Sequence, residues 1–173
     1  MPRDFLPSTT VQYHFHRMRD RGPLDAINAV LVAGMRVAEG RKVEPTAGII
    51  DSQSVTTTAA GGPGGYDAGK RIKGRKHHIA TDTAGNLLDA LVHSADVQDR
   101  DDAPDLIERC RDAWPSLARF FADGGYAGPK LHAAIAHLDR LAKDWEATIA
   151  SSRAWLIIAS IRRMTRRIAK LEL

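Results

Sequence analysis

The chain has 173 residues, with 25 Lys and Arg against 21 Asp and Glu, one cysteine and a formal net charge of +4. An apolar fraction of 43% in a chain of this length is enough to bury a core, which excludes a disordered protein. A single cysteine excludes an internal disulfide framework. The longest strongly apolar run (residues 154–159) is too short to cross a bilayer, and the N-terminus has no apolar stretch of the signal-peptide type. We therefore expect neither a secreted nor a membrane protein.

Apolar residues at helical spacing predict helices over residues 9–20 and 24–39, with Gly22 and Pro23 between them. Such a pair can form a DNA-reading helix-turn-helix, although most helix pairs across a short turn only pack together. We predict a helical N-terminal region over residues 1–45.

Beyond residue 45 the pattern changes to short apolar strands. Strands are predicted near residues 47–55, 76–82, 87–93 and 117–122, with a glycine-rich loop at 59–69, a hairpin turn at 82–86 and helices at 102–114 and 130–138. These elements predict an α/β core over residues 46–138, built on a mixed four-stranded sheet. A long basic helix, from about residue 141 to 169, is predicted within a C-terminal region over 139–173.

Asp51 and Asp123 each stand at the end of a short apolar strand. A three-stranded meander followed by a crossover helix can place the fourth strand parallel to the first, which would bring the two aspartates side by side. Adjacent carboxylates repel unless a cation lies between them, and Mg²⁺ readily takes carboxylate oxygens. The pair therefore predicts a metal site for phosphodiester chemistry, with two strand-end caps as the alternative.

Basic residues are concentrated in two segments of this nearly balanced chain. Residues 70–78 hold five basic residues and no acid, and residues 153–173 hold six basic residues and one acid. Such patches suggest a polyanionic partner, most often nucleic acid, and the alternative is that they form solvated faces. The predicted DNA contacts are Lys70, Lys73, Arg75 and Lys76, together with Arg71; a second candidate set is Arg162, Arg163, Arg166 and Arg167.

Four segments of the sequence resemble one known family. They are IIDSQSV (49–55), GGYDAGKRIKGRKHHIATDTAGNLL (64–88), VHSADVQDRDDAPDLI (92–107) and ADGGYAG (122–128). They closely resemble the DDE transposases of bacterial insertion sequences, in the IS-five family. This resemblance implies a ribonuclease H-like fold and a Mg²⁺-dependent enzyme, with two ions, that cleaves and transfers transposon-end DNA. It makes Asp51 and Asp123 the first two catalytic, metal-binding aspartates.

The same resemblance implies a partner and a location. The partner would be DNA at the terminal inverted repeats, and a homodimer is compatible with that role. A membrane and a small-molecule substrate are not expected. The implied location is the bacterial cytoplasm, in association with the nucleoid.

The sequence departs from the family pattern downstream of Asp123. The family's third carboxylate is the glutamate of a Glu-Arg pair, on a helix after a fifth strand, and here LHAAIAHLDR (131–140) runs directly into LAKDWE (141–146). Glu146 matches a glutamate downstream of the catalytic one and does not inherit its role. We therefore expect an internally deleted or truncated copy, with a start shorter than is typical, that has lost activity. The alternative to an enzyme that acts as a DDE transposase is a catalytically inactive DNA-binding remnant. A remote third possibility is an unrelated ribonuclease H-like nuclease.

Overall fold

A computed structural model describes residues 6–57, 64–122 and 149–171. These residues form four helices and five strands, in the order α1 (Ser8–Arg21), α2 (Pro23–Ala38), β1 (Ala47–Thr56), β2 (Gly65–Asp67), β3 (Ile72–Asp82), β4 (Leu87–Ser94), α3 (Asp99–Ala113), β5 (Arg119–Ala122) and α4 (Ile149–Leu171). Within these three ranges, no helix is long and apolar enough to span a bilayer.

The strands form one mixed sheet around β3. Strand β1 pairs antiparallel with β3 from Gly48 opposite Asp82 to Thr56 opposite Gly74, and β4 also pairs antiparallel with β3. Strand β5 runs parallel to β1. All four predicted strands and the mixed character of the sheet are confirmed. The fifth strand, β2, pairs with the first residues of β3 and lies inside the predicted glycine-rich loop, so that part of the loop prediction was wrong.

The N-terminal helices form close to their predicted bounds. Gly22, with a φ of 76°, connects α1 to α2 in the left-handed conformation that glycine adopts without strain. Helix α2 buries Leu24, Val32 and Met35, whereas α1 has no buried residue. The apolar face of α2 is therefore used for packing on the sheet.

Two clusters of buried side chains hold the helices on the sheet. The larger includes Ile50 of β1, Leu106 and Cys110 of α3, and Met164 of α4. The smaller joins Leu24 to β4 and to the first half of α4. Helix α4 is thus integrated into the core, and the prediction that Cys110 is a core residue is confirmed.

Helix α3 begins earlier than its sequence pattern indicated. The predicted start was near residue 102, at a helix opened by Pro104, but the helix begins at Asp99 and contains Pro104. Proline removes the backbone donor that would bond to the carbonyl four residues earlier, and the helix nevertheless continues past Pro104. Of the apolar positions of the predicted helix, Leu106 and Cys110 are buried and Ile107 is half-buried, whereas Ala113 is exposed.

The hairpin between β3 and β4 is organised by Asp82. Its Oδ1 accepts hydrogen bonds from the backbone N–H groups of Ala84 and Asn86, both at 2.9 Å, and its Oδ2 accepts one from Arg36 of α2 at 2.7 Å. Burial opposes ionisation, but these bonds outweigh it and hold the pKa of Asp82 below its usual value. Asp82 is therefore a structural residue of the hairpin, as its sequence context predicts.

Candidate functional site

Asp51 lies in β1, directly after the buried Ile50 and opposite Ile79 of β3. Its side chain is half-buried, and its Oδ1 accepts a hydrogen bond from the backbone N–H of Ser52 at 2.7 Å. Asp51 lies in the middle of β1 (Ala47–Thr56), so the prediction that it stands at the end of its strand was wrong. Pairing with β3 fixes its backbone, and the residue remains partly accessible.

The parallel pairing of β1 with β5 brings together the residues that directly precede the two predicted aspartates. The register runs from Ala47 opposite Arg119 to Ile50 opposite Ala122, and these last two residues immediately precede Asp51 and Asp123. Asp123 itself lies outside the described residues, as does Glu146. The proximity of the two carboxylates stays a prediction, whereas the parallel arrangement of their strands is confirmed.

The described part of the chain supplies only part of a metal site. Over residues 6–57, 64–122 and 149–171, no group of three His, Cys, Asp or Glu side chains could hold an ion. Asp51 contributes one carboxylate, which is a ligand type that Mg²⁺ accepts. The remaining ligands of the predicted site would have to include Asp123.

The predicted basic segment divides into an exposed part and a buried part. Lys70, Arg71 and Lys73 are exposed, but Arg75 is 0% and Lys76 only 4% exposed. Both belong to β3, which has partner strands on its two sides and α3 packed against it. The surface expected from the sequence is therefore reduced, in this structure, to the first three basic residues.

Asp67, at the end of β2, organises this basic segment. Its Oδ1 accepts the backbone N–H of Lys70 at 3.0 Å, its Oδ2 accepts the hydroxyl of Ser54, and the Nζ of Lys76 lies 3.7 Å from Oδ2. Burial opposes ionisation of Asp67, and the hydrogen bonds from Ser54 and Lys70 outweigh it, so its pKa is lowered. The sequence prediction missed this residue, although Asp67 is the single acid among residues 64–78.

The turn that Asp67 holds brings Lys70 to β1. The Nζ of Lys70 donates hydrogen bonds to the carbonyl oxygen of Ser52 at 3.0 Å and to its hydroxyl at 3.3 Å. Arg71, with a φ of 54°, completes the turn in the left-handed region. The ammonium group is thus fixed on Ser52, the residue that follows Asp51 in β1.

The second basic candidate set lies on α4. Arg162, Arg163 and Arg166 are exposed, whereas Arg167 is half-buried and donates to Asn86 Oδ1 at 3.0 Å and to Glu39. One member of the set is therefore tied to the body of the protein, and three face outward.

Comparison with known proteins adds one decisive finding. A family described as Transposase DDE domain matches residues 43–164, which is more than half of the chain. The chain belongs to the DDE transposase family. No curated protein and no solved structure matches it. The match begins just before β1 and includes Asp51, Asp123 and all but the end of α4. Membership supports an enzyme class that cleaves and transfers DNA, with DNA as the partner.

Proposed function

We propose that this DDE transposase belongs to the IS-five family of bacterial insertion sequences and that its parent enzyme cleaves and transfers DNA at terminal inverted repeats. The observation that carries the proposal is the parallel register of β1 and β5, which ends at Ile50 and Ala122. A strand order of β2-β3-β1-β5, with β4 on β3, supports a ribonuclease H-like core.

In this proposal Asp51 and Asp123 are the first two metal-binding carboxylates. Bound Mg²⁺ would lower the pKa of the attacking water or hydroxyl and offset the charge that develops on the phosphate. The chain's own contribution is to fix Asp51 in a paired strand, with its Oδ1 on the N–H of Ser52. The ammonium of Lys70, on Ser52, and the exposed Lys73 would hold the DNA backbone near the carboxylate.

This copy is proposed to bind DNA without transposing it. Two-metal chemistry needs enough anionic ligands to hold both ions, and Mg²⁺ keeps its waters where the ligand cage is incomplete. The sequence has no Glu-Arg pair after Asp123, and Glu146 matches a glutamate of a different family position. We infer that the chain is an internally deleted copy. It would then act as a catalytically inactive DNA-binding remnant at the bacterial nucleoid.

A cleavage assay tests both parts of the proposal. A duplex carrying the matched inverted repeat is incubated with Mg²⁺ or Mn²⁺ and with the wild type, Asp51→Asn or Glu146→Gln. We expect the wild type to bind the duplex and leave it intact. Cleavage that is lost in both variants would identify an active enzyme with Glu146 as its third acid. Cleavage that persists in Asp51→Asn would remove Asp51 from the reaction.

A binding measurement keeps the metal assignment testable in an inactive protein. Titration with Mn²⁺, followed by its paramagnetic relaxation, should show weak binding to the wild type that Asp51→Asn abolishes. Asp82→Asn is the matched control, because Asp82 is a buried hairpin residue outside the proposed site. Equal Mn²⁺ binding by wild type and Asp51→Asn would contradict the assignment.

A further inference from the structure

The outward side of α4 is a continuous basic surface. Ala154, Ile157 and Met164 are buried on the inward side. The second half of the helix carries four exposed cations, Arg162, Arg163, Arg166 and Lys170, together with the half-buried Arg167, and residues 149–171 include no acid. Side chains four residues apart on a helix lie on the same face, so the sequence places these cations in two adjacent rows.

Most of these cations are not neutralised by the protein. Arg153, on the first half of α4, is paired with Asp25 and Asp89 at 2.7 and 2.6 Å, and Arg167 is paired with Glu39. By contrast, Arg162, Arg163, Arg166 and Lys170 form no ion pair with any residue in the described part of the chain. Arg163 is exposed as a residue, but the protein around its guanidinium group and the neighbouring charge of Arg167 lower its pKa, against the opposing charges of Asp82 and Glu39. Positive charge is therefore crowded here, and a bound anion would relieve the repulsion.

The same residues line an open groove of about 420 Å³. Among the residues that the structure describes, its apolar lining is Ile158 and Ala159, and the rest of its lining is the five cations of α4 named above. Guanidinium groups bind phosphate through two parallel hydrogen bonds, and four of these cations are arginines. We propose that this α4 groove binds the phosphate backbone of a DNA duplex. The proposal rests on the proposed function for the identity of the partner.

The groove is separate from the candidate catalytic site. The guanidinium of Arg163 approaches Gly85 and that of Arg167 reaches Asn86, both in the hairpin that follows Asp82. Asp51 is paired with Ile79, three residues before Asp82 along β3, which corresponds to about 10 Å. One turn of duplex DNA is about 34 Å long, so a single duplex can span both places. The groove would anchor DNA while the chemistry takes place around Asp51, in the middle of β1.

A charge-neutralising variant tests the groove. Arg162→Gln combined with Arg166→Gln removes two exposed cations four residues apart, and Arg17→Gln combined with Arg21→Gln does the same on α1. Affinity for a duplex of random sequence is measured by fluorescence anisotropy at several salt concentrations. We expect the slope of log affinity against log salt to become shallower by about 2 in the groove variant, because each lost phosphate contact removes about 0.9. The α1 variant should keep the wild-type slope.

Two further arms make the outcome decisive. Arg162→Lys with Arg166→Lys keeps the charge and should keep the slope, and the melting temperature shows whether each variant is folded. A groove variant with the wild-type slope, or an equal change in the α1 variant, would overturn the groove while leaving DNA binding intact. Tighter binding of duplex RNA than of duplex DNA would also overturn it. A wild type that does not bind DNA at all would contradict the proposed function itself.

Discussion

The two basic regions of the molecule have opposite relations to its core. In β3, Arg75 and Lys76 are enclosed, and Lys76 is held by Asp67 and by the carbonyl oxygen of Val97 at 2.7 Å. On α4, Arg162 and Arg166 extend into solvent. A strand inside a sheet that is covered on both faces buries successive side chains, whereas a helix on the surface buries only one side. Basic segments of a sequence therefore supply structural cations in one region and available cations in the other.

The largest expected loss of stability follows from substitution of the buried Lys76. Lys76→Met keeps most of the side-chain volume and removes the ammonium that faces Asp67 and Val97. Breaking a buried pair from one side typically costs about 3–5 kcal/mol, so we expect a loss of that size in the free energy of unfolding. Urea denaturation at neutral pH measures it.

Lys73→Met is the matched control, because it removes the same charge from an exposed position of the same strand. Surface substitutions usually change stability by about 0.5 kcal/mol or less. Equal losses in the two variants would show that the enclosed and the exposed lysine do not differ in role, and the comparison between the regions would fail.

A smaller effect is expected at the carboxylate that organises the basic segment. Asp67→Asn removes an ionised acceptor from Ser54 and Lys70 and should cost about 1–3 kcal/mol at neutral pH. The pKa of Asp67 is lowered in the folded protein, so its stabilisation is present above the unfolded value and is lost as the pH falls through the folded value. The difference in unfolding free energy between wild type and variant should therefore shrink below about pH 4.

This pH dependence separates an ionic role from a packing role. Asp105→Asn is a useful control, because Asp105 is exposed on α3. A difference between wild type and Asp67→Asn that is constant from neutral to acidic pH would mean that the charge of Asp67 contributes nothing to the fold.

The smallest effect is expected within α4 itself. Arg167→Ala removes the contacts with Glu39 and Asn86 and should lower the unfolding free energy by about 1 kcal/mol. Arg166→Ala, one residue away and exposed, should leave it within about 0.5 kcal/mol. Thermal unfolding of the two variants side by side measures this. A larger loss of unfolding free energy in Arg166→Ala than in Arg167→Ala would contradict the distinction between the ion-paired and the solvent-exposed arginine of this helix.

Much of the fold could be predicted because local patterns and tertiary packing agree. Alternating and apolar runs located β1, β4 and β5, and the turn residues of the hairpin identified Asp82 as its first residue. Strand β3 begins at Ile72, earlier than predicted, because a glycine and several basic residues do not form a typical strand pattern. Gly74 nevertheless belongs in the strand, since a Cβ there would lie 1.9 Å from the carbonyl oxygen of Val55.

The candidate site was less accessible to sequence reasoning. Asp51 could be recognised from its position at the end of an apolar run and from the family resemblance. The burial of Arg75 could not be predicted, because it arises inside a sheet in which Val55 and Ser94, both distant in sequence, are its neighbours. Asp67 was missed for a related reason: its partner Ser54 is on another strand, and only the paired sheet brings the two together.

The single thiol of the chain lies in the core beneath this sheet. Cys110 is 0% exposed, and burial raises its pKa to about 12, so almost none of it is the reactive thiolate in the folded state. A thiol-specific reagent can label it only when α3 separates from the sheet. The labelling rate therefore reports how often this core opens, which makes the protein its own probe of local unfolding without any introduced label.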